Sequence, residues 1–367
     1  MGERTVTSGG EVLQELLAEG VSPWLDGLRR SLLTSGALAR LVAGGRVRGV
    51  TSDPAVLAAE VSGGTAYAQQ LSHLACRSVP LTTAVQALCA YDLRAACDEL
   101  RPVFDSTDGL DGHVSMDPVV RPGSGARATA DAAAALHLAA CRPNALVKLP
   151  ATDDGLAAAG ECLARGIGVH VTGIHSVRRY EQVVEAWFGG LERARAAGLD
   201  LAAVPSVASL PVARIDAEAD GWLRETGGRD AAGLLGTAAL AVARLVYRRY
   251  EEGLGSVRWR ALASAGARPQ RLMWAVGSGV PYVESLVAWG TVSAMSEAAL
   301  VAVEERGRLR GDTLTGQDGA GRGAVARLER AGIPFDEVTK TLEAESLAQA
   351  VSSWRGLRDA VGAGLRA

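Results

Sequence analysis

Short apolar runs alternate with longer amphipathic stretches along most of this chain, and the alternation predicts strands and helices in turn around a parallel sheet. The strand-like runs fall at 23–26, 48–53, 112–117, 145–150, 167–173, 204–209, 272–276 and 285–291. Eight such runs, separated by helix-like segments, predict one (β/α)8 TIM barrel of the α/β class rather than an open sheet. Sequence outside the repeats predicts extra helices at both ends. Residues 310–323, with Gly311, Gly316, Gly319 and Gly321, read as a loop or hinge. Beyond them an amphipathic helix is expected from about Phe335 to Arg366, packed across the barrel. The whole of 1–367 reads as a single domain with a C-terminal helical extension over about 323–367.

Polar or reactive residues sit late in several of the predicted strands: Asp26, Asp53, Asp117, Lys148, Thr172 and Ser209. In a barrel those positions share the C-terminal face, where active sites are built. Any single Asp, Ser or Thr among them is explained as a helix cap or turn former. Six converging on one face ask for more than capping.

Lysine usage sharpens the picture. Lys148 and Lys340 are the two lysines among 38 basic residues, so 38 − 2 = 36 are arginine. A chain so biased would place arginine at 148 if it needed positive charge alone. Lysine differs in that desolvation among apolar neighbours lowers its pKa toward a free amine, which attacks a carbonyl to form a Schiff base; arginine stays protonated. Lys148 lies in the strand-like run Asn144-Ala145-Leu146-Val147-Lys148-Leu149-Pro150, whereas Lys340 lies in a charged, helix-like stretch and reads as a solvated surface residue.

Composition narrows the partners. With 48% hydrophobic residues the chain has ample material for a core, and a net charge of −3 argues against nucleic acid or an anionic membrane as the main partner. Small molecules are the expected ligands, and a homodimer is compatible with the sequence. Cys76, Cys89, Cys97, Cys141 and Cys162 are odd in number and make no CxxC pair, so they are expected as reduced core residues of a cytoplasmic protein. No apolar signal segment follows the N-terminus, and no span is long enough to cross a membrane. Neither P-loop nor GxGxxG is present, and the five histidines form no zinc-type pair, so no cofactor and no metal are expected.

Several blocks, in order along the chain, resemble the transaldolases, in particular the longer bacterial branch with extra terminal segments. They include Val21-Ser22-Pro23-Trp24-Leu25-Asp26, Gly49-Val50-Thr51-Ser52-Asp53-Pro54, Ser62-Gly63-Gly64-Thr65-Ala66-Tyr67, Arg142-Pro143-Asn144, Ser206-Val207-Ala208-Ser209, Ala267-Arg268-Pro269-Gln270 and Gly290-Thr291-Val292. The resemblance implies a class I aldolase-type mechanism. A ketose phosphate condenses with the lysine of the fourth strand, carbon–carbon cleavage releases an aldehyde, and the bound three-carbon enamine adds to a second aldehyde. It assigns the lysine to Lys148, the carboxylate that handles the donor hydroxyl proton to Asp26, and a threonine that helps activate water to Thr172. A glutamate of the third strand falls on Asp117 if the match is ungapped; if two residues are deleted there, no carboxylate fills the position.

Departures fall where the family holds substrate. A family asparagine is Asp53 here, another is His170, titratable near neutrality, and a phenylalanine is Pro211. The seventh-strand loop, 274–281, supplies Ser278 but no arginine or lysine, while Ser209 and Arg214 survive as half of a phosphate clamp. The residues leave three readings: a Schiff-base enzyme turned to an altered, unphosphorylated carbonyl substrate in specialised biosynthesis, with His170 either a new acid or base or a histidine that fills space and bonds to backbone; an ordinary transaldolase of sugar phosphates in the pentose phosphate pathway; and a non-catalytic barrel that binds a metabolite or protein. The retained Lys148 counts against the third.

Overall fold

The computed structural model of the protein describes residues 11–121, 123–226, 231–277 and 279–366. Eight parallel strands close into a barrel in chain order. They are β1 (Val21–Leu28), β2 (Gly49–Ser52), β3 (Val114–Met116), β4 (Ala145–Pro150), β5 (Val169–Thr172), β6 (Ser206–Leu210), β7 (Arg271–Gly277) and β8 (Thr291–Met295). Helices lie between them, and the barrel expected from the apolar pattern is the one that forms. No helix among the described residues is long and apolar enough to cross a membrane.

Alternation along each strand sends every second side chain inward. Trp24, Leu146, Val207, Met273, Val292 and Ala294 meet there as a separate apolar cluster. Trp24 fits because β2 offers Gly49 opposite it; a Cβ at that position would collide with the indole. Below this layer Asp111 accepts from Ser22 Oγ (2.7 Å) and Arg271 Nη1 (2.6 Å), a buried ion pair with its hydrogen bonds made. The floor of the barrel is therefore closed, and reactive groups are left to the other end.

Three expectations need correction. The last strand is Thr291–Met295, not 285–291. Leu286, Val287 and Ala288 are buried but make no ladder, because Gly290 at φ +76° turns the chain just before the strand begins. Burial without pairing is what the apolar run there signalled. The loop expected over 310–323 stops early, since a helix runs over Asp318–Arg330. One of its glycines serves close packing: a Cβ at Gly321 would lie 3.1 Å from the Ala241 carbonyl oxygen of the helix Ala238–Gly255, whereas Gly319 and Gly323 face open space. Tertiary contact there overrides glycine's poor helix propensity. Of the cysteines, Cys89, Cys97 and Cys162 are buried, but Cys76 and Cys141 are exposed. Both stand at helix C-terminal ends, Cys141 in the left-handed conformation (φ +49°).

The C-terminal helix, Phe335–Gly364, forms as expected. Its first half touches the segments after β5 and β6, where Arg179 and Arg214 meet Glu343 and Glu345, and its second half passes the helix Pro54–Gly63 after β2, with Gly356 against Ala58. Strands β2 and β6 stand four apart in a ring of eight, so the helix crosses the C-terminal mouth.

Candidate active site

Lys148 stands two residues beyond Leu146 on the inward face of β4, one layer nearer the mouth than the apolar cluster. Its side chain is 14% exposed; Nζ donates to the Ser52 carbonyl oxygen at 2.6 Å and lies 3.7 Å from Asp117 Oδ2. Burial works to lower the lysine pKa, but Asp117, Asp26 and Asp53 together outweigh burial and hold it above the ordinary value. This corrects the expected free amine: the resting site carries an ammonium among carboxylates.

Asp26 and Asp117 are raised as well. Burial raises the Asp26 pKa, Lys148 opposes the shift, and Asp53 and Asp117 reinforce it. Asp26 is aimed by a local irregularity: Gly27 at φ +103° sits where the β1–β2 register slips between Asp26 and Leu28. Just beyond, buried Arg30 is ion-paired with buried Asp92 and lies over the rings of Tyr67 and Tyr91, which fixes the end of β1. Asp117 directly follows β3; burial raises it, while Lys148 and Ser52 pull it down. Ser52 Oγ donates to Asp117 Oδ2 at 2.9 Å and accepts the Asp117 N–H at 3.2 Å. The third-strand carboxylate required by the ungapped match thus stands beside the lysine. Thr172 ends β5 opposite Pro150, half-buried and one layer above His170 on the same face.

Asp53 caps the helix Pro54–Gly63, accepting the Ala55 N–H at 2.7 Å. Its charge still reaches the site through its effect on Asp26, Asp117 and Lys148. Cap and electrostatic neighbour are one residue here.

His170 departs from its expected role as a group titrating near neutrality. It pairs with Lys148 across β4 and β5, is buried, and both burial and the lysine's charge push its pKa well below the ordinary value. The ring is neutral and held at both ends, Nδ1 2.8 Å from Ser115 Oγ and Nε2 2.8 Å from Ser209 Oγ. Ser115 Oγ in turn donates to Thr51 Oγ1 at 2.8 Å. As a neutral ring it donates through one nitrogen and accepts through the other within this chain of hydroxyls. Ser209, 2% exposed, is committed to this chain beneath the lysine.

Arg214 lies apart from that interior chain, in the first turn of the helix Val212–Thr226. Its Nη2 donates to Glu345 Oε2 at 3.1 Å and its Nη1 to Ser346 Oγ at 3.2 Å. His175 joins the cluster, Nε2 2.9 Å from Ser346 Oγ, with its pKa pushed down to about 4 by burial and the adjacent guanidinium. Ser278 lies outside the described residues. Sequence reasoning missed Ser52, Thr51, Ser115, His175, Glu345 and Ser346. For Ser52 a signal existed, its place beside Asp53 at a strand end; for Glu345 and Ser346 there was none, since their partners are more than 130 residues away.

Comparison with known proteins agrees with the barrel. The family described as Transaldolase/Fructose-6-phosphate aldolase matches residues 23–361. The chain is 46% identical over 370 residues to a protein named Transaldolase 1 from Streptomyces avermitilis, covering 99% of this chain and 98% of that one. It is 46% identical to a transaldolase from Acidothermus cellulolyticus, with 95% of each chain covered, and 45% identical to one from Thermobifida fusca, with 96% of this chain and 98% of that one covered. On a match of that extent, with a closed eight-stranded parallel barrel beneath it, the chain belongs to the transaldolase/fructose-6-phosphate aldolase family of enzymes.

Proposed function

We propose that this protein is a lysine-based aldol transferase acting on a ketose donor, as the relatives named transaldolase suggest. The Lys148 amine attacks the donor carbonyl carbon, and loss of water gives an iminium. Asp26 takes the proton of the donor hydroxyl that becomes the aldehyde. The carbon–carbon bond then breaks, its electron pair passing to the iminium to give an enamine. That enamine adds to an acceptor aldehyde, and water releases the product. Asp117 and Thr172 position the water and move its protons.

The observation that carries this reading is one buried amine, Lys148, 3.7 Å from Asp117 and under the charge of Asp26 at the C-terminal end of the barrel. The ammonium must lose a proton before it attacks. Two carboxyls made more basic by burial stand ready to accept it.

A second reading, an unphosphorylated carbonyl donor, is favoured by a specific feature: the chain has no arginine or lysine from 274 to 281, and the surviving Arg214 is already engaged. One experiment addresses both. The protein is incubated with fructose 6-phosphate, fructose or dihydroxyacetone, reduced with borohydride and weighed intact. A stable adduct in the wild type that is lost in Lys148→Ala is the expected result, and the carbonyl compound that gives it selects the donor class. No adduct with any of the three, or an adduct that survives Lys148→Ala, overturns the proposal.

A further inference from the structure

The C-terminal helix is anchored at two ends and loosely held between. It buries Val338 and Leu342 near its start and Leu357, Ala360 and Val361 near its finish, but no residue from 343 to 356 is buried. This middle span is held at the mouth by polar contacts: Glu343 with Arg179 at 3.1 Å, Glu345 with Arg214 at 3.1 Å, and Ser346 with both Arg214 and His175. Arg214 stands in the first turn of a 15-residue helix directly after β6, where the helix dipole adds to its positive charge. An anion already sits there, and it is the chain's own carboxylate.

We propose that Glu345 is an internal anion seated in the phosphate arm of the donor site. A phosphate group must displace it from Arg214, and this competition sets the preference between phosphorylated and unphosphorylated donors. The inference rests on the proposed function in treating Arg214 as that arm. Arg214 and Glu345 are 39% and 52% exposed, and an exposed ion pair is weak, so the contact opens reversibly rather than sealing the site. The dianion has more charge to offer the guanidinium than Glu345 does. The Ser346 hydroxyl, already within reach of Arg214, is a further polar contact for it. Meanwhile Ser209 is held by His170 inside the barrel, which leaves Arg214 as the main point of selection.

The test is calorimetric titration of inorganic phosphate into the full chain. Glu345→Gln is expected to bind phosphate roughly two- to fivefold more tightly than wild type, the range an exposed ion pair supplies. In an Arg214→Ala background the same substitution is expected to change nothing. Glu343→Gln, which frees the helix from Arg179 but leaves Glu345 in place, is expected to leave phosphate affinity at the wild-type value. If the donor is a sugar, the KM for fructose 6-phosphate relative to fructose falls by the same factor in Glu345→Gln. Equal phosphate affinity in wild type and Glu345→Gln, no phosphate binding by either, a gain that persists without Arg214, or an equal gain from Glu343→Gln would each overturn the proposal. Phosphate binding needs no turnover, so a Lys148 that forms no adduct would remove the proposed chemistry and leave this result to be read independently.

Discussion

Lys148 and Lys340 carry the same ammonium in opposite settings. Lys340 is 70% exposed and pairs with Glu337 one helical turn away, while Lys148 is 14% exposed among carboxylates drawn from other strands. Sequence context separated the two correctly, because a lysine inside an apolar run must be buried. It did not give the protonation state, since burial and nearby carboxylates act in opposite directions and the carboxylates come from β1 and from the residues that directly follow β2 and β3. Asp26 provides the sharpest residue-level test. Asp26→Asn is expected to form the borohydride-trappable adduct as wild type does, yet to slow release of the aldehyde by about 10²–10⁴-fold, the usual worth of a general base. Aldehyde release at the wild-type rate would take Asp26 out of the mechanism.

At the level of elements, strand order and number were legible because a buried parallel strand reads as an apolar run whatever surrounds it. Before β8, Leu286, Val287 and Ala288 are as apolar as any strand but are buried without a ladder partner. Asp53 gives the complementary case: an aspartate before Pro54 is a cap from its local sequence alone, and the structure makes it one. Asp53→Ala is expected to cost about 1 kcal/mol of stability through loss of the cap. Urea unfolding at neutral pH measures it, and an unchanged midpoint would mean that relief of repulsion with Asp26 and Asp117 offsets the lost hydrogen bond.

For the molecule as a whole, buried histidines link stability to pH. His113, His170 and His175 are all pushed below the ordinary value, in each case mainly by burial, with His113 and His175 at about 4. In the unfolded chain a histidine takes up its proton as pH falls through about 6.5. The folded chain refuses that proton until its own lower pKa is reached, so the unfolded state gains protons first and stability drops. The stability these groups contribute is complete above about 6.5 and is lost progressively toward 4, by up to roughly 3 kcal/mol for His113. Denaturant midpoints measured from pH 7 to 4.5 should fall, and His113→Gln should show a shallower fall whatever its absolute stability. Parallel slopes in the two proteins would exclude His113 from the effect.

The sequence by itself determined the class of fold, the burial of Lys148 within a strand and the strand-end placement of the carboxylates around it, because burial, period and residue choice are written locally. Tertiary structure decided the charge on Lys148, the neutrality of His170 between Ser115 and Ser209, and the engagement of Arg214 by Glu345. Each of these depends on which distant groups share a few ångströms of low-dielectric space. Electrostatic interaction falls with separation and is set by burial, so no reading along the chain contains it.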